Sequence, residues 1–190
     1  MSRLISTLII SFSLLTGCAL SPQTIDIYPQ AKVSGPAYGQ GRQISVQVVD
    51  LRTNKTLGSR GGIYDDTSTI TINNDLSEAV KETATNTLKQ LGFNGKSFAY
   101  PAQITISIKT LSYQTQQKNL IYHVDLETEL SVTTTINGSV HEGHYKTQGN
   151  HQFGQAPNAN KNASIINAIF SKTIDRAFSD PNLARFILKN

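Results

Sequence analysis

Hydrophobic and polar positions follow two rhythms along this chain. Several stretches alternate with period two, and two longer ones repeat near 3.6, so both strands and helices are predicted. Residues 43–51 place Ile44, Val46 and Val48 on one face of a strand. Residues 67–72 alternate again, with Ser68, Ile70 and Ile72 against Thr67, Thr69 and Thr71. After Pro101 a strand presents Ile104, Ile106 and Ile108, then shifts phase to Leu111 and Tyr113. The shift predicts a bulge near Lys109 and Thr110. The clearest strand follows. Tyr122, Val124, Leu126, Leu130, Val132 and Ile136 point one way, while His123, Asp125, Glu127 and Glu129 point the other. Asn137-Gly138 predicts a two-residue hairpin turn, because both positions take positive φ at low cost. Residues 139–153 then return. That pairing sets Tyr145 opposite Leu130 and Lys146 opposite Glu129, a cation against the acidic row.

Asp75-Leu76-Ser77-Glu78 is a capping box for a helix that runs to about Leu91 and stops at Gly92. Leu76, Val80, Ala84, Leu88 and Leu91 fall near one face of it, so the helix lies on the sheet. Asn162 can cap a second helix with a broad stripe of Ile165, Ile166, Ile169, Phe170, Ile174, Ala177 and Phe178. Asp180-Pro181 opens a short last helix. Residues 19–42 hold Pro22, Pro29, Pro36, Gly35, Gly39 and Gly41, the composition of a tether. Within it, residues 24–28 alternate and could add an edge strand that Pro29 ends. The expected fold class is α+β: a mostly antiparallel sheet of about five strands, two main helices packed on one face, and a short C-terminal helix. One domain, residues 43–190, holds all of it, with one face of the sheet buried and the other solvated.

The N-terminal pattern is of another kind. Arg3 is the only charge before Cys18, and the apolar stretch from Leu4 to Leu15 is short. Its 12 residues at roughly 1.5 Å each span about 18 Å, less than the roughly 30 Å core of a bilayer. A basic start, a short apolar region and small residues at a cut site describe a signal peptide over residues 1–17. Leu15-Thr16-Gly17-Cys18 looks like a lipobox, the processing signal of bacterial lipoproteins, with cleavage between Gly17 and Cys18 and lipid on Cys18. In lipoproteins of the enteric type, Asp after the cysteine retains the protein in the inner membrane. By that resemblance Ala19 implies the outer membrane and its periplasmic face. Two or three acyl chains would make the attachment effectively permanent.

Removing the signal leaves 173 residues, enough for a self-sufficient core. The chain has one Cys, so no disulfide within it is available once Cys18 carries lipid. With Arg3 gone, 16 basic residues stand against 13 acidic ones in no long run, and nucleic acid is not an expected partner. All four His lie between positions 123 and 151. His141 and His144 point to opposite faces of a strand, and His141 and His151 share a face about 33 Å apart at 3.3 Å per residue. No metal site and no cofactor are expected. No G-x-S-x-G is present, and Gly61-Gly62 lacks the spacing of a phosphate loop. Glu127 and Glu129 share a face beside Lys146, which reads as an ion-pair row rather than a general acid and base. Asn73-x-x-Leu76-Ser77 matches a fragment of the peptidoglycan-binding signature of OmpA-like domains, but Val80 stands where that signature has Arg. The capping box accounts for the same residues. Catalytic residues are therefore not expected, and the protein is read as non-enzymatic.

Taken in order, the lipobox, Asp50-Leu51-Arg52-Thr53, the helix ending at Leu91-Gly92, the hairpin at Asn137-Gly138, Asn160-Lys161-Asn162 and the Phe186-Ile187 ending resemble the YajG-like family of uncharacterised bacterial lipoproteins. The resemblance covers residues 18–190 and implies an envelope lipoprotein, with no catalytic residue carried over. Asp50 and Arg52 are the best match within the fold. On a strand they share a face, so a carboxylate–guanidinium contact at the strand end is expected. The function expected is that of an envelope-assembly accessory or partner-binding domain on a lipid anchor, with an envelope protein as partner. The alternative is a small-ligand or peptidoglycan-associated binding factor.

Overall fold

The computed structural model describes residues 20–190 apart from 34, 63 and 64, so the motif at residues 15–18 and Ala19 lie outside the described residues. Gln23–Ile25 (β1), Ile44–Asp50 (β2), Gly58–Ser59 (β3), Thr69–Ile72 (β4), Ala102–Lys118 (β5), Ile121–Ile136 (β6) and Ser139–Phe153 (β7) form one sheet. Its order is β1-β4-β3-β5-β6-β7, with β2 also paired to β5. This corrects the expected sheet of about five mostly antiparallel strands. The sheet has seven strands and is mixed, because β1–β4, β2–β5 and β3–β5 are parallel.

The length of β5 is the physical reason. Its first half pairs with β2 from Ala102 to Ile108, and its second half pairs with β3 at Tyr113. Two short strands thus share one flank of a single long one. A helix, Leu76–Gln90 (α1), lies between β2 and β5 in the chain and makes the crossover that a parallel pair needs. The register of β5 on β6 shifts between Ile108 and Thr110, which is the bulge expected from the phase change. On the far side, Leu130 pairs with Tyr145 and Glu129 with Lys146.

Together with α1, Ala159–Phe178 (α2) and Pro181–Lys189 (α3) cover one face of the sheet. Asp75 Oδ1 accepts from Glu78 N at 3.0 Å to start α1. Asp180 Oδ1 accepts from Asn182 N at 2.8 Å to start α3, with Pro181 in the first turn. The cap of α2 is Asn158, whose Oδ1 accepts from Lys161 N at 2.9 Å, and not Asn162. Asn162 is fully buried in the first turn, where its Oδ1 accepts from Tyr113 Oη at 2.8 Å. Ile104, Ile106, Ile108, Leu130 and Ile136 of the sheet meet Phe170, Ile174 and Phe178 of α2 in the core. Inside it the Thr128 and Thr173 hydroxyls hydrogen-bond to each other. The opposite face carries Gln103, Gln114, Asp125, Lys146, Gln148 and Asn150, all exposed.

The Pro- and Gly-rich segment is laid along this domain. β1 extends the sheet, and the Asn74 carboxamide continues the pairing by accepting from Ile27 N at 2.8 Å and donating to Ile27 O at 2.9 Å. Beyond Ile27 the strap runs along α2. Tyr28 N donates to Asn167 Oδ1 at 2.7 Å, Gln30 N to Ser171 Oγ at 2.8 Å and Lys32 N to Asp175 Oδ1 at 2.6 Å. The two spacings agree: four helical residues rise about 6 Å and two extended residues about 6.6 Å. Ile25, Ile27 and Tyr38 are buried beneath the segment.

Candidate functional site

Asp50 and Arg52 meet at the end of β2. Arg52 Nε and Nη2 donate to the two Asp50 carboxylate oxygens at 2.9 Å each, and Lys55 Nζ adds a third contact at 2.9 Å. Burial alone would raise the Asp50 pKa, but the bonds from Arg52 and Lys55 and the guanidinium charge outweigh it and hold it at about 2. The loop after β2 is thereby closed on its own strand. Glu127 is joined to Lys146 at 2.8 Å and to Gln148 Nε2 at 2.7 Å, and its carboxyl is held low by those bonds. Glu129 lies opposite Lys146 across the ladder, but that ammonium pairs with Glu127. Asn73 and Asn74, part of the fragment that resembles a wall-binding signature, hold the strap at Asp26 and Ile27 instead.

The histidines are spread as their faces dictate. His141 stacks on Phe186 with centroids 5.5 Å apart, His151 stacks on Phe153 at 6.1 Å, and His144 lies 3.5 Å from Glu142. Among the described residues no three His, Cys, Asp or Glu side chains converge to hold a metal ion. Tyr38 and Tyr145 are the most perturbed acids. Burial pushes both phenols up, and the Asp180 carboxylate adds to it. Both act as donors, Tyr38 to the Phe178 carbonyl at 2.9 Å and Tyr145 to Asp180 at 2.8 Å, and so tie α2, α3 and β7 together.

Three surfaces stand out among the described residues. One is an apolar groove of about 440 Å³ between the strap and the α2–α3 corner, lined by Val33, Pro36, Tyr38, Phe178, Ala184 and Leu188 among others. The second is a polar concavity of about 710 Å³ on the uncovered sheet face, with Ser112, Gln114, Asp125, Glu127, Gln148 and Asn150 in its wall. Its carboxylates already have partners, since Asn150 Nδ2 donates to Asp125 at 2.6 Å as Gln148 does to Glu127.

The third is the free edge of β7. Among the described residues this strand pairs only with β6. It is 15 residues long, contains no Pro, and keeps an unbroken register from Phe153 to Ser139. In an antiparallel ladder, alternate residues turn both backbone groups towards the partner strand and the others turn both away. Arg176 Nη1 reaches the Lys146 carbonyl at 2.8 Å from α2, so Lys146 belongs to the outward set. The even-numbered residues from Val140 to Gln152 therefore direct their N–H and C=O groups away from β6, and every one of them is exposed. Natural edges are shortened, bulged or interrupted by Pro to prevent pairing. This one is long, and Arg176 covers one carbonyl near its middle. Nothing in the sequence flags it, because an edge is defined by what fails to pair on its other side.

A lipobox-like start ahead of a helix-backed mixed sheet fits an envelope lipoprotein. The chain belongs to a family described as "Uncharacterized lipoprotein", whose family model matches residues 29–188. It is 24% identical to the lipoprotein YajG of Escherichia coli strain K12, over 96% of this chain and 95% of that protein, and equally so to YajG of Escherichia coli O6:H1 strain CFT073. Its fold is similar to that of protein XCC0632 from Xanthomonas campestris, with a TM-score of 0.50 and 9% identity over 87% of this chain and 95% of that one. Family membership associates the chain with the cell envelope. Among the described residues no helix is long and apolar enough to cross a membrane.

Proposed function

We infer that the protein is a lipoprotein of the outer membrane, cleaved between Gly17 and Cys18, acylated on Cys18 with palmitate-type chains, and facing the periplasm. Ala19 in place of Asp supports the outer over the inner membrane. Its domain is non-enzymatic and holds an envelope protein. The observation that carries this reading is the 15-residue free edge of β7. An extended segment of the partner would add there as a further strand. Its backbone would pair with the outward groups of β7, while exposed side chains such as Glu142 and Lys146 select the sequence.

Photocrosslinking in intact cells tests the edge. A photoreactive residue in place of Gln148 or Gln152 is expected to trap one protein, and the same residue at Lys81 on the outer side of α1 is not. His144→Pro removes an outward N–H without touching the β6 ladder, and is expected to abolish the crosslink while the thermal transition persists. Equal trapping at Lys81, or a crosslink that survives His144→Pro, refutes the reading. The polar concavity of about 710 Å³ supports the alternative, a peptidoglycan-associated or small-ligand factor. Retention of muropeptides by the purified protein, lost on Gln114→Ala, is the result that favours it.

A further inference from the structure

On the reading above, the chain is held in the membrane at Cys18, two residues before Leu20. Leu20 is already part of the domain: its side chain lies against Gly62, where an added Cβ would stand 3.5 Å from Leu20 Cδ1. Ser21 is pinned as well, because its carbonyl accepts from Arg60 Nη1 at 2.8 Å, and Arg60 is buried. Two residues of chain reach at most about 7 Å. The lipid surface that holds Cys18 therefore runs close to this end of the domain.

The sheet topology fixes what else lies there. β1 is parallel to β4, β4 antiparallel to β3, and β3 parallel to β5, so the start of β1 lies at the end of β5. Gly61 beside Gly62 approaches Thr115 closely, with an added Cβ only 2.8 Å from Thr115 Cγ2. Thr115 Oγ1 also donates to the Ser59 carbonyl at 2.9 Å. From Thr115 to Leu120 the hairpin runs on for about 16 Å, at about 3.3 Å per residue. That is more than twice the reach of the leash. The turn at residues 118–121 thus projects past Leu20 at the end of the domain from which the two-residue leash to Cys18 starts.

The chemistry of this tip does not serve the fold. Leu120 is 80% exposed and Ile121 is 40% exposed, and Lys118 beside them is exposed too. Leu120 has φ 64°, a conformation that suits Gly and strains a branched side chain. Folding favours Gly at this position, and solubility favours a polar residue. Asp65 is set back from the tip, level with Thr115, Gln116 and Gln117.

We propose that this turn is a second membrane contact: Leu120 and Ile121 enter the headgroup–acyl boundary of the same bilayer that holds Cys18, with Lys118 at the level of the lipid phosphates. The contact rests on the Cys18 anchor of the reading above. It holds the domain upright at a fixed distance, with the free edge of β7 rising away from the surface.

The chain contains no Trp, so Leu120→Trp and Val140→Trp each introduce a single reporter. Val140 is 61% exposed and sits just past the opposite turn. Each variant, purified from membranes with its anchor, is reconstituted in phosphatidylethanolamine–phosphatidylglycerol vesicles with and without brominated acyl chains. The emission of Leu120→Trp is expected to shift to the blue on reconstitution and to be quenched by the brominated chains; that of Val140→Trp does neither. Unquenched, unshifted emission from Leu120→Trp overturns the proposal. So does a blue shift that grows with concentration in the unanchored Cys18→Ser background without vesicles, which would assign the tip to a second copy of the chain. The mass of the N-terminal peptide reports acylation separately. Should Cys18 prove unacylated, the anchor reading fails on that result alone. The tip is then judged by the same two signals with Cys18 coupled through its thiol to a maleimide lipid.

Discussion

The two ends of β6 turn back on themselves in the same way and finish in different chemistry. At one end Asn137-Gly138 takes φ values of 46° and 79°; at the other Asn119-Leu120 takes 49° and 64°. Both are two-residue turns with left-handed backbone at both positions, the geometry that matches the twist of the flanking strands. Left-handed backbone costs an ordinary L-residue about 1–2 kcal/mol, and Gly escapes that cost. Gly138 is therefore the residue the backbone asks for. Leu120 is not, and burial offers it no compensation. The comparison separates a position set by folding from one set by something outside the fold, and the second lies at the end where the chain leads to Cys18.

Removing the anchor breaks the asymmetry outright. Cys18→Ala is expected to empty the membrane fraction of this protein and to leave an unprocessed or soluble form; unchanged fractionation and electrophoretic mobility would refute it. Next in size is the pin that brings the leash to the Leu120 end. Arg60→Ala leaves the Ser21 carbonyl without its guanidinium donor and removes one of the donors to the Pro157 carbonyl, which Asn162 Nδ2 also reaches at 3.4 Å, and is expected to lower stability by about 2 kcal/mol, read as a drop in the denaturant midpoint. Acid sharpens the comparison by acting on neither turn. The Asp50 carboxyl is held at about 2, below its ordinary 3.8, so its contribution to stability is complete above pH 4 and is lost as the pH falls towards 2. Asp50→Asn is expected to flatten the thermal midpoint across that window while the difference between the two turns persists. The turn exchange has the smallest effect and the sharpest sign. Gly138→Leu should destabilise by about 1–2 kcal/mol. Leu120→Gly should stabilise by about 0.5 kcal/mol, the relief of backbone strain exceeding the extra freedom Gly gives the unfolded chain. Loss of stability in both variants would mean that Leu120 is held by contacts within the domain.

Local features of this fold are legible in the sequence, and distant ones are not. The phase of β5 and β6, the bulge at Lys109 and the pairing of Leu130 with Tyr145 each follow from neighbours along one hairpin. Strand number and direction depend on more than a local period. β3 has two residues and shows none, while β1 lies in a stretch whose alternation is visible but whose partner is not; both join the sheet through partners far away in the chain. The cap of α2 is corrected for a similar reason. Asn162 stands just before the apolar stripe, and only its buried contact with Tyr113 places it inside the helix, where Asn158 takes the cap. The strap left one trace: Asn167, Ser171 and Asp175 recur every four residues beside an apolar face, which reads as an ordinary solvated flank until an extended segment is found lying on it. The free edge of β7 left none, since the same alternation would serve a central strand.

That strap has a mechanical consequence. It runs parallel to α2, so under the anchoring proposed at Cys18 tension from the membrane would act along its length. The bonds to Asn167, Ser171 and Asp175 are then loaded in shear and share the force, whereas a segment leaving at a right angle would unzip them one after another. Under that anchoring, a tug on the N-terminal end of the strap would be carried into the helix layer as a whole.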